Sequence, residues 1–124
     1  MSVGAFKNFI DGQWVAGESV IANINPSDTS DTIGEYARAT AADGLAAIEA
    51  ANRAFDDWAQ SGLEQRKAIL DFIGNELIAR KDEIGAVLAR EEGKTLAEGV
   101  GEVGRSGQFF QYYAAETLRL MGEN

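Results

Sequence analysis

The chain has 124 residues with no Cys and no His, and its 11 Lys and Arg stand against 20 Asp and Glu, a net charge of −9. A thiol nucleophile, a zinc–thiolate site, a Ser-His-Asp relay and an imidazole base are therefore excluded from these residues. With no basic cluster to meet a phosphate backbone, no nucleic-acid partner is expected.

Hydrophobic residues make up 45% and charged residues 25%, an ordinary balance for a folded, soluble protein. No apolar run approaches the roughly 20 residues of a membrane span. The opening residues, MSVGAFKNFIDGQW, lack a charged n-region followed by an apolar core. No membrane association and a cytoplasmic location are the expectations.

From Phe6 to Val15, two short apolar runs, Asn8-Phe9-Ile10 and Gln13-Trp14-Val15, flank Asp11-Gly12, a pair that accepts positive φ in a tight turn. That predicts a β-hairpin. Val20 to Ile24 reads as another strand, ended by Asn25-Pro26 and a polar cluster, Ser27 to Asp31, before Thr32 to Tyr36 resumes an extended pattern.

After Tyr36 the apolar period changes from two to about 3.6. Thr40 and Asp43 have capping-box spacing, and Leu45, Ile48, Ala51, Phe55 and Trp58 then fall on one stripe of a first helix. Ser61 and Glu64 repeat the spacing and predict a second helix start, with Ile69, Ile73 and Leu77 on one stripe and Leu70 widening it. Lys81-Asp82-Glu83 either breaks or continues that helix. Ile84, Val87 and Leu88 carry an apolar face on to Gly93, which suits a left-handed C-terminal position.

Leu96, Val100, Val103, Gly107, Phe110 and Ala114 define a last helical stripe. The segment therefore reads as β-hairpin strands followed by three or four amphipathic helices, with no repeat or linker to mark an internal boundary. Two-stranded hairpins are marginal in water on their own. These hairpins are expected to lie on a surface supplied elsewhere, while the helices could bury their stripes on one another.

Gly99-Val100-Gly101-Glu102-Val103-Gly104 matches G-x-G-x-x-G, but the dinucleotide fingerprint needs a preceding parallel strand, and here the helical stripe passes through Val100 and Val103. Glu98 and Glu102 would also bring negative charge towards phosphates. The expectation is helical glycines, with Gly104 and Gly107 admitting a close neighbour. Gly93-Lys94-Thr95 matches the end of a P-loop, yet the glycine required five positions before Gly93 is Leu88.

The order of signals, Phe9-Ile10-Asp11-Gly12-Gln13-Trp14-Val15, then Ile24-Asn25-Pro26-Ser27, then Trp58, then Glu91-Glu92-Gly93-Lys94, resembles the N-terminal segment of aldehyde dehydrogenases from Phe9 to Gly122. The resemblance implies an α/β family fold and places residues 1–124 in the cofactor-binding domain, as an incomplete N-terminal part. It implies a cysteine thiolate, an oxyanion-holding amide, hydride transfer to NAD or NADP and a glutamate that activates water. None of those groups matches a position here, and Asn25 is not the oxyanion asparagine.

No catalytic and no cofactor-binding residue is therefore assigned, and the chain alone is predicted to be inactive and to take no cofactor. The implied partners are the remainder of the aldehyde dehydrogenase chain, further copies in a homo-oligomer and an aldehyde. Asn-Pro-Ser-Asp-Thr-Ser-Asp at 25–31 and Ala-Arg-Glu-Glu-Gly-Lys-Thr-Leu at 89–96 are most similar to bacterial members acting on 2-oxoglutarate semialdehyde.

Two further implications concern sites. Asn23, Ile24 and Glu91 match positions that hold a monovalent cation in some family members, and oxygen ligands suit such a hard ion. The other reading is that Glu91 decorates a helix end. Val103, Ser106 and Phe110 resemble residues bordering the substrate tunnel, or are core. Outside the resemblance, the acidic amphipathic helices also fit a non-catalytic interaction module.

Overall fold

The computed structural model describes residues 5–119, and the chain divides into two compact units, Met1–Gln60 and Ser61–Asn124. In the first, β1 (Asn8–Ile10) and β2 (Gln13–Val15) pair antiparallel across Asp11 and Gly12. Both turn residues have positive φ, 51° and 76°, as the mirror-image two-residue turn requires. Phe9 lies opposite Trp14, with ring centroids 4.9 Å apart.

β3 (Ser19–Ile24) and β4 (Thr32–Arg38) form a second antiparallel pair whose register shifts between Asn23 and Ile24. The polar cluster between them closes on itself. Asn25 Nδ2 donates to Asp31 Oδ2 at 3.2 Å, while Asn25 Oδ1 accepts from the Ser27 N–H at 2.9 Å. Phe6 bridges to β4, its N–H donating to the Glu35 carbonyl and its carbonyl accepting from the Ala37 N–H, both at 2.8 Å.

Helix α1 (Ala41–Ala59) opens on the expected capping box: the Thr40 N–H donates to Asp43 Oδ2 at 2.8 Å and Thr40 Oγ1 accepts from the Asp43 N–H at 3.2 Å. Arg53 Nη2 reaches back to Asp11 Oδ2 at 2.9 Å, tying the helix to the first hairpin's turn. The predicted apolar stripe is present but uncovered. Leu45, Ile48, Phe55 and Trp58 are between 49% and 66% exposed.

In the second unit α2 (Leu63–Ala79), α3 (Lys81–Glu92) and α4 (Leu96–Glu116) are followed by a 3-10 turn at Thr117–Arg119, and α4 packs against both α2 and α3. The start of α2 differs from expectation. Gly62 is its N-cap, which puts Glu64 one position too early for a box, and Ser61 Oγ instead accepts from Arg66 Nε at 2.9 Å. The chain breaks at Arg80, where Arg80 Nη2 donates to Glu83 Oε1 at 2.8 Å, and α3 ends at Gly93 in the left-handed conformation, φ 70°.

The interior of this unit is a seam of small residues. A Cβ placed on Gly99 would lie 2.4 Å from the Gly85 carbonyl oxygen, so α3 and α4 meet backbone to backbone. On the other side of α4, a Cβ on Gly107 would lie 2.6 Å from Ile78 Cγ1, and one on Gly74 would lie 2.8 Å from the Gly107 carbonyl oxygen. Among the described residues the buried hydrophobic side chains are Ala89, Val103 and Ala114. Gly104, expected beside Gly107 as a close-approach position, would meet only Lys81 Cδ, at 3.9 Å. Val87, expected on the apolar face of α3, is exposed, because the seam runs through Gly85 and Ala89 instead.

Two glycines two positions apart on α4 should therefore behave oppositely. Gly99→Ala forces backbone apart and lowers stability by at least the roughly 1–3 kcal/mol of an overpacked core. Gly101→Ala has nothing within 4 Å to strike. It gains up to about 1 kcal/mol of helix propensity. Thermal unfolding monitored by circular dichroism checks the contrast, and equal effects would contradict the backbone crossing.

Candidate functional site

The α3–α4 corner concentrates the charged residues singled out in the sequence. Gly93 reverses the chain, and Thr95 then caps α4 by a second capping box: its N–H donates to Glu98 Oε2 at 3.1 Å and its Oγ1 accepts from the Glu98 N–H at 3.4 Å. The Thr95 hydroxyl also donates to Glu98 Oε2, at 2.8 Å, and this bond first, then that of the Thr95 N–H, holds the Glu98 carboxyl below the usual carboxylate range. Asp43 is lowered likewise, chiefly by the Thr40 backbone N–H.

Between the two caps of the corner, Lys94 acts as a clamp. Its Nζ donates to both carboxylate oxygens of Glu102 at 2.7 Å and also pairs with Glu92, and its side chain is 19% exposed. The Glu102 hydrogen bond, then that of Glu92, raises the ammonium above its ordinary value. Sequence reading noted Lys94 only as part of Gly-Lys. The signal for the clamp was present in glutamates two positions before it and eight after it.

The predicted site residues are distributed as follows. Asn23 and Ile24 close β3 in the first unit, while Glu91 sits exposed in the last turn of α3 in the second. On α4, Val103 is 5% exposed within the helical seam, Ser106 is exposed and Phe110 is half-buried. Beyond that helix, an open hollow of about 480 Å³ is lined by Leu70, Tyr112, Tyr113, Glu116, Thr117 and Arg119. Among the described residues no group of three or more His, Cys, Asp or Glu side chains is placed to hold a metal ion. No helix is long and apolar enough to cross a membrane among the same residues.

The glycine motif at 99–104 does not form a dinucleotide-binding turn. Gly99 to Gly104 lie inside α4, downstream of its capped N-terminus, where each backbone N–H is committed to the helix rather than turned outward to a pyrophosphate. The motif's glycines serve packing at Gly99 and line the helix surface at Gly101.

Residues 14–124 match the model of the aldehyde dehydrogenase family. An alpha-ketoglutarate semialdehyde dehydrogenase of Haloferax volcanii is 35% identical over 118 residues, 94% of this chain and 24% of the relative. An N-succinylglutamate 5-semialdehyde dehydrogenase of Chromobacterium violaceum is 42% identical over 96 residues, 77% of this chain and 20% of the relative. The crystal structure of a NAD-dependent benzaldehyde dehydrogenase from Corynebacterium glutamicum superposes with a TM-score of 0.87 at 33% identity, covering 98% of this chain and 27% of that one. The chain thus spans a quarter or less of the length of these two curated relatives.

The corner's electrostatics have a definite pH signature. Glu98 in the corner, like Asp43 in the separate cap of α1, has a depressed pKa in the folded state, so the stability each contributes is present above the ordinary carboxylate range and is lost as pH falls below about 4. The Lys94 pKa is raised, so its contribution is present at neutral pH and is lost only as pH rises beyond about 10.4. Glu98→Gln is expected to flatten part of the acid limb of a plot of melting temperature against pH and leave the alkaline limb in place; Lys94→Met does the reverse. Thr95→Ala should cost about 1 kcal/mol at neutral pH through loss of the cap.

Proposed function

The chain belongs to the aldehyde dehydrogenase family, and on that premise we propose that it forms the N-terminal part of the cofactor-binding domain of an enzyme oxidising an aldehyde to a carboxylate with NAD+ or NADP+. Both compact units are parts of that one domain. The observation that carries this reading is the uncovered apolar surface. Phe55 and Trp58 on α1, Phe72 on α2, and Phe109 and Tyr112 on α4 are all roughly half or more exposed, whereas the buried seam is built from glycine and alanine.

Such faces are costly to leave in water and mark surfaces that another layer of protein covers. The remainder of the enzyme chain supplies that layer, and with it the thiolate, the water-activating glutamate and the cofactor strands that these residues lack. This segment contributes scaffold. Its α4 helix borders the path of the aldehyde, with Ser106 and Phe110 on the accessible part and Val103 supporting them from within the seam.

The substrate is 2-oxoglutarate semialdehyde, supported by the semialdehyde named for the Haloferax volcanii relative, and the assembled enzyme is a cytoplasmic homo-oligomer. A free-standing acidic interaction module would instead be expected to fold alone as a monomer with a defined melting transition.

Assays of the full-length protein and of the 124-residue chain side by side test the proposal. The full-length protein reduces NAD+ or NADP+ in the presence of 2-oxoglutarate semialdehyde. The chain alone reduces neither and enhances the fluorescence of an apolar dye. A full-length protein that leaves both cofactors oxidised, or an isolated chain that melts sharply as a monomer and ignores the dye, would count against it.

A further inference from the structure

We propose that Lys94 is a positioning residue for the aldehyde path: by holding Glu102 it sets the rotation and axial position of the α4 row that carries Ser106 and Phe110. The inference rests on the proposed reading of α4 as a border of that path. Glu102, Ser106 and Phe110 stand at steps of four along Leu96–Glu116, so they share one row of the helix surface. Beside it runs the seam row of Gly99, Val103 and Gly107, all three buried.

The seam fixes how close α4 comes to its neighbours and holds its rotation only weakly. Interlocked side chains resist the turning of a helix about its axis, because each sits in a groove of the facing helix. At the crossing of α3 and α4 the contact is instead Gly99 against the Gly85 carbonyl, and two positions on, a Cβ at Gly101 would meet nothing within 4 Å.

Lys94 supplies what the glycines do not. Its backbone is held on both sides, by the left-handed Gly93 that ends α3 and by the Thr95 capping box that starts α4. From that point its Nζ donates to both carboxylate oxygens of Glu102 at 2.7 Å and pairs with Glu92 in the last turn of α3. One ammonium thus joins the two helices, and its attachment on α4 is the first member of the row that continues through Ser106 and Phe110. With a side chain 19% exposed, the lysine is better ordered than the partners of an ordinary surface ion pair.

A displacement of Glu102 is carried along the row, since the two turns from there to Phe110 lie within one continuous helix. The effect falls on aldehyde binding. The groups that perform the chemistry belong to the remainder of the enzyme, so loosening the clamp misplaces a wall of the path and raises KM while kcat is kept.

The test uses the full-length protein with pentanal and with 2-oxoglutarate semialdehyde, at a temperature well below every melting point. Lys94→Met should raise KM for both aldehydes about fivefold or more with kcat held within about twofold, and Lys94→Arg should restore most of the loss. Glu102→Gln should reproduce the rise, and the double variant should go no further than either single change, because both remove the same link. Thr40→Ala, which removes the cap of α1 and touches no part of the clamp, should lower the melting temperature and leave KM where it is. An unchanged KM in Lys94→Met overturns the proposal. So does an equal rise in Thr40→Ala, a rise that Lys94→Arg leaves unrelieved, or a double variant in which the two rises multiply. Ser106→Leu and Phe110→Ala test the underlying reading separately. If neither moves KM for either aldehyde, α4 is off the substrate path and the role of Lys94 falls with it; if they do and Lys94→Met does not, the reading of α4 stands and Lys94 alone is removed from it.

Discussion

The approach of Gly99 to the Gly85 carbonyl, mirrored by that of Gly107 to Gly74, is the constraint on which the helical unit depends. Helices usually meet through interlocking side chains at interaxial distances of 8–10 Å. Here α4 meets α3 backbone against backbone at Gly85 and Gly99, and meets α2 at Gly74 and Gly107 with the Ile78 side chain packed against Gly107. Close approach replaces bulk as the source of packing, and dispersion between backbone atoms replaces the burial of large side chains. The larger apolar residues are thereby left for other faces, which is why α4 can be well seated and still present Phe109, Tyr112 and Tyr113 outward.

The corner at Gly93 extends that arrangement. Once α3 has ended in the left-handed conformation, Thr95 and Glu98 start α4 at once, and Lys94 bridges the last turn of one helix to the second turn of the other through Glu92 and Glu102. The glycine crossing fixes the separation of the two helices; the clamp and the cap fix where along its own axis α4 begins. Together they determine which residues of α4 face away from the seam, Phe109 and Tyr112 among them.

Much of this was legible in the residues. Asp11-Gly12 with alternating neighbours gave the first hairpin its turn, the Thr40 and Asp43 spacing gave α1 its start, and Gly93 gave α3 its end, because each of these signals is local and acts through a backbone requirement. The Ser61 and Glu64 pair misled since a capping box depends on the helix beginning at one particular residue, and Gly62 took that place. The seam was the least legible feature. Apolar periodicity looks for large side chains, so it found Val87, which is exposed, and passed over Gly74 and Gly85, whose value lies in having no side chain at all. Of the candidate site, the glutamates two before and eight after Lys94 were in the sequence, but the clamp they form emerged only when the turn at Gly93 brought them together.

Amide hydrogen exchange on the full-length enzyme and on the isolated chain, compared segment by segment, tests most directly the claim that these residues are a scaffold seated by a small-residue seam and covered from outside. Residues 74–78, 85–89 and 99–107 along the crossing should be protected in both proteins, while α1, carrying Leu45, Ile48, Phe55 and Trp58, should gain strong protection only in the full-length enzyme. Equal protection of α1 in the two would show that nothing else covers that face, and would contradict the account.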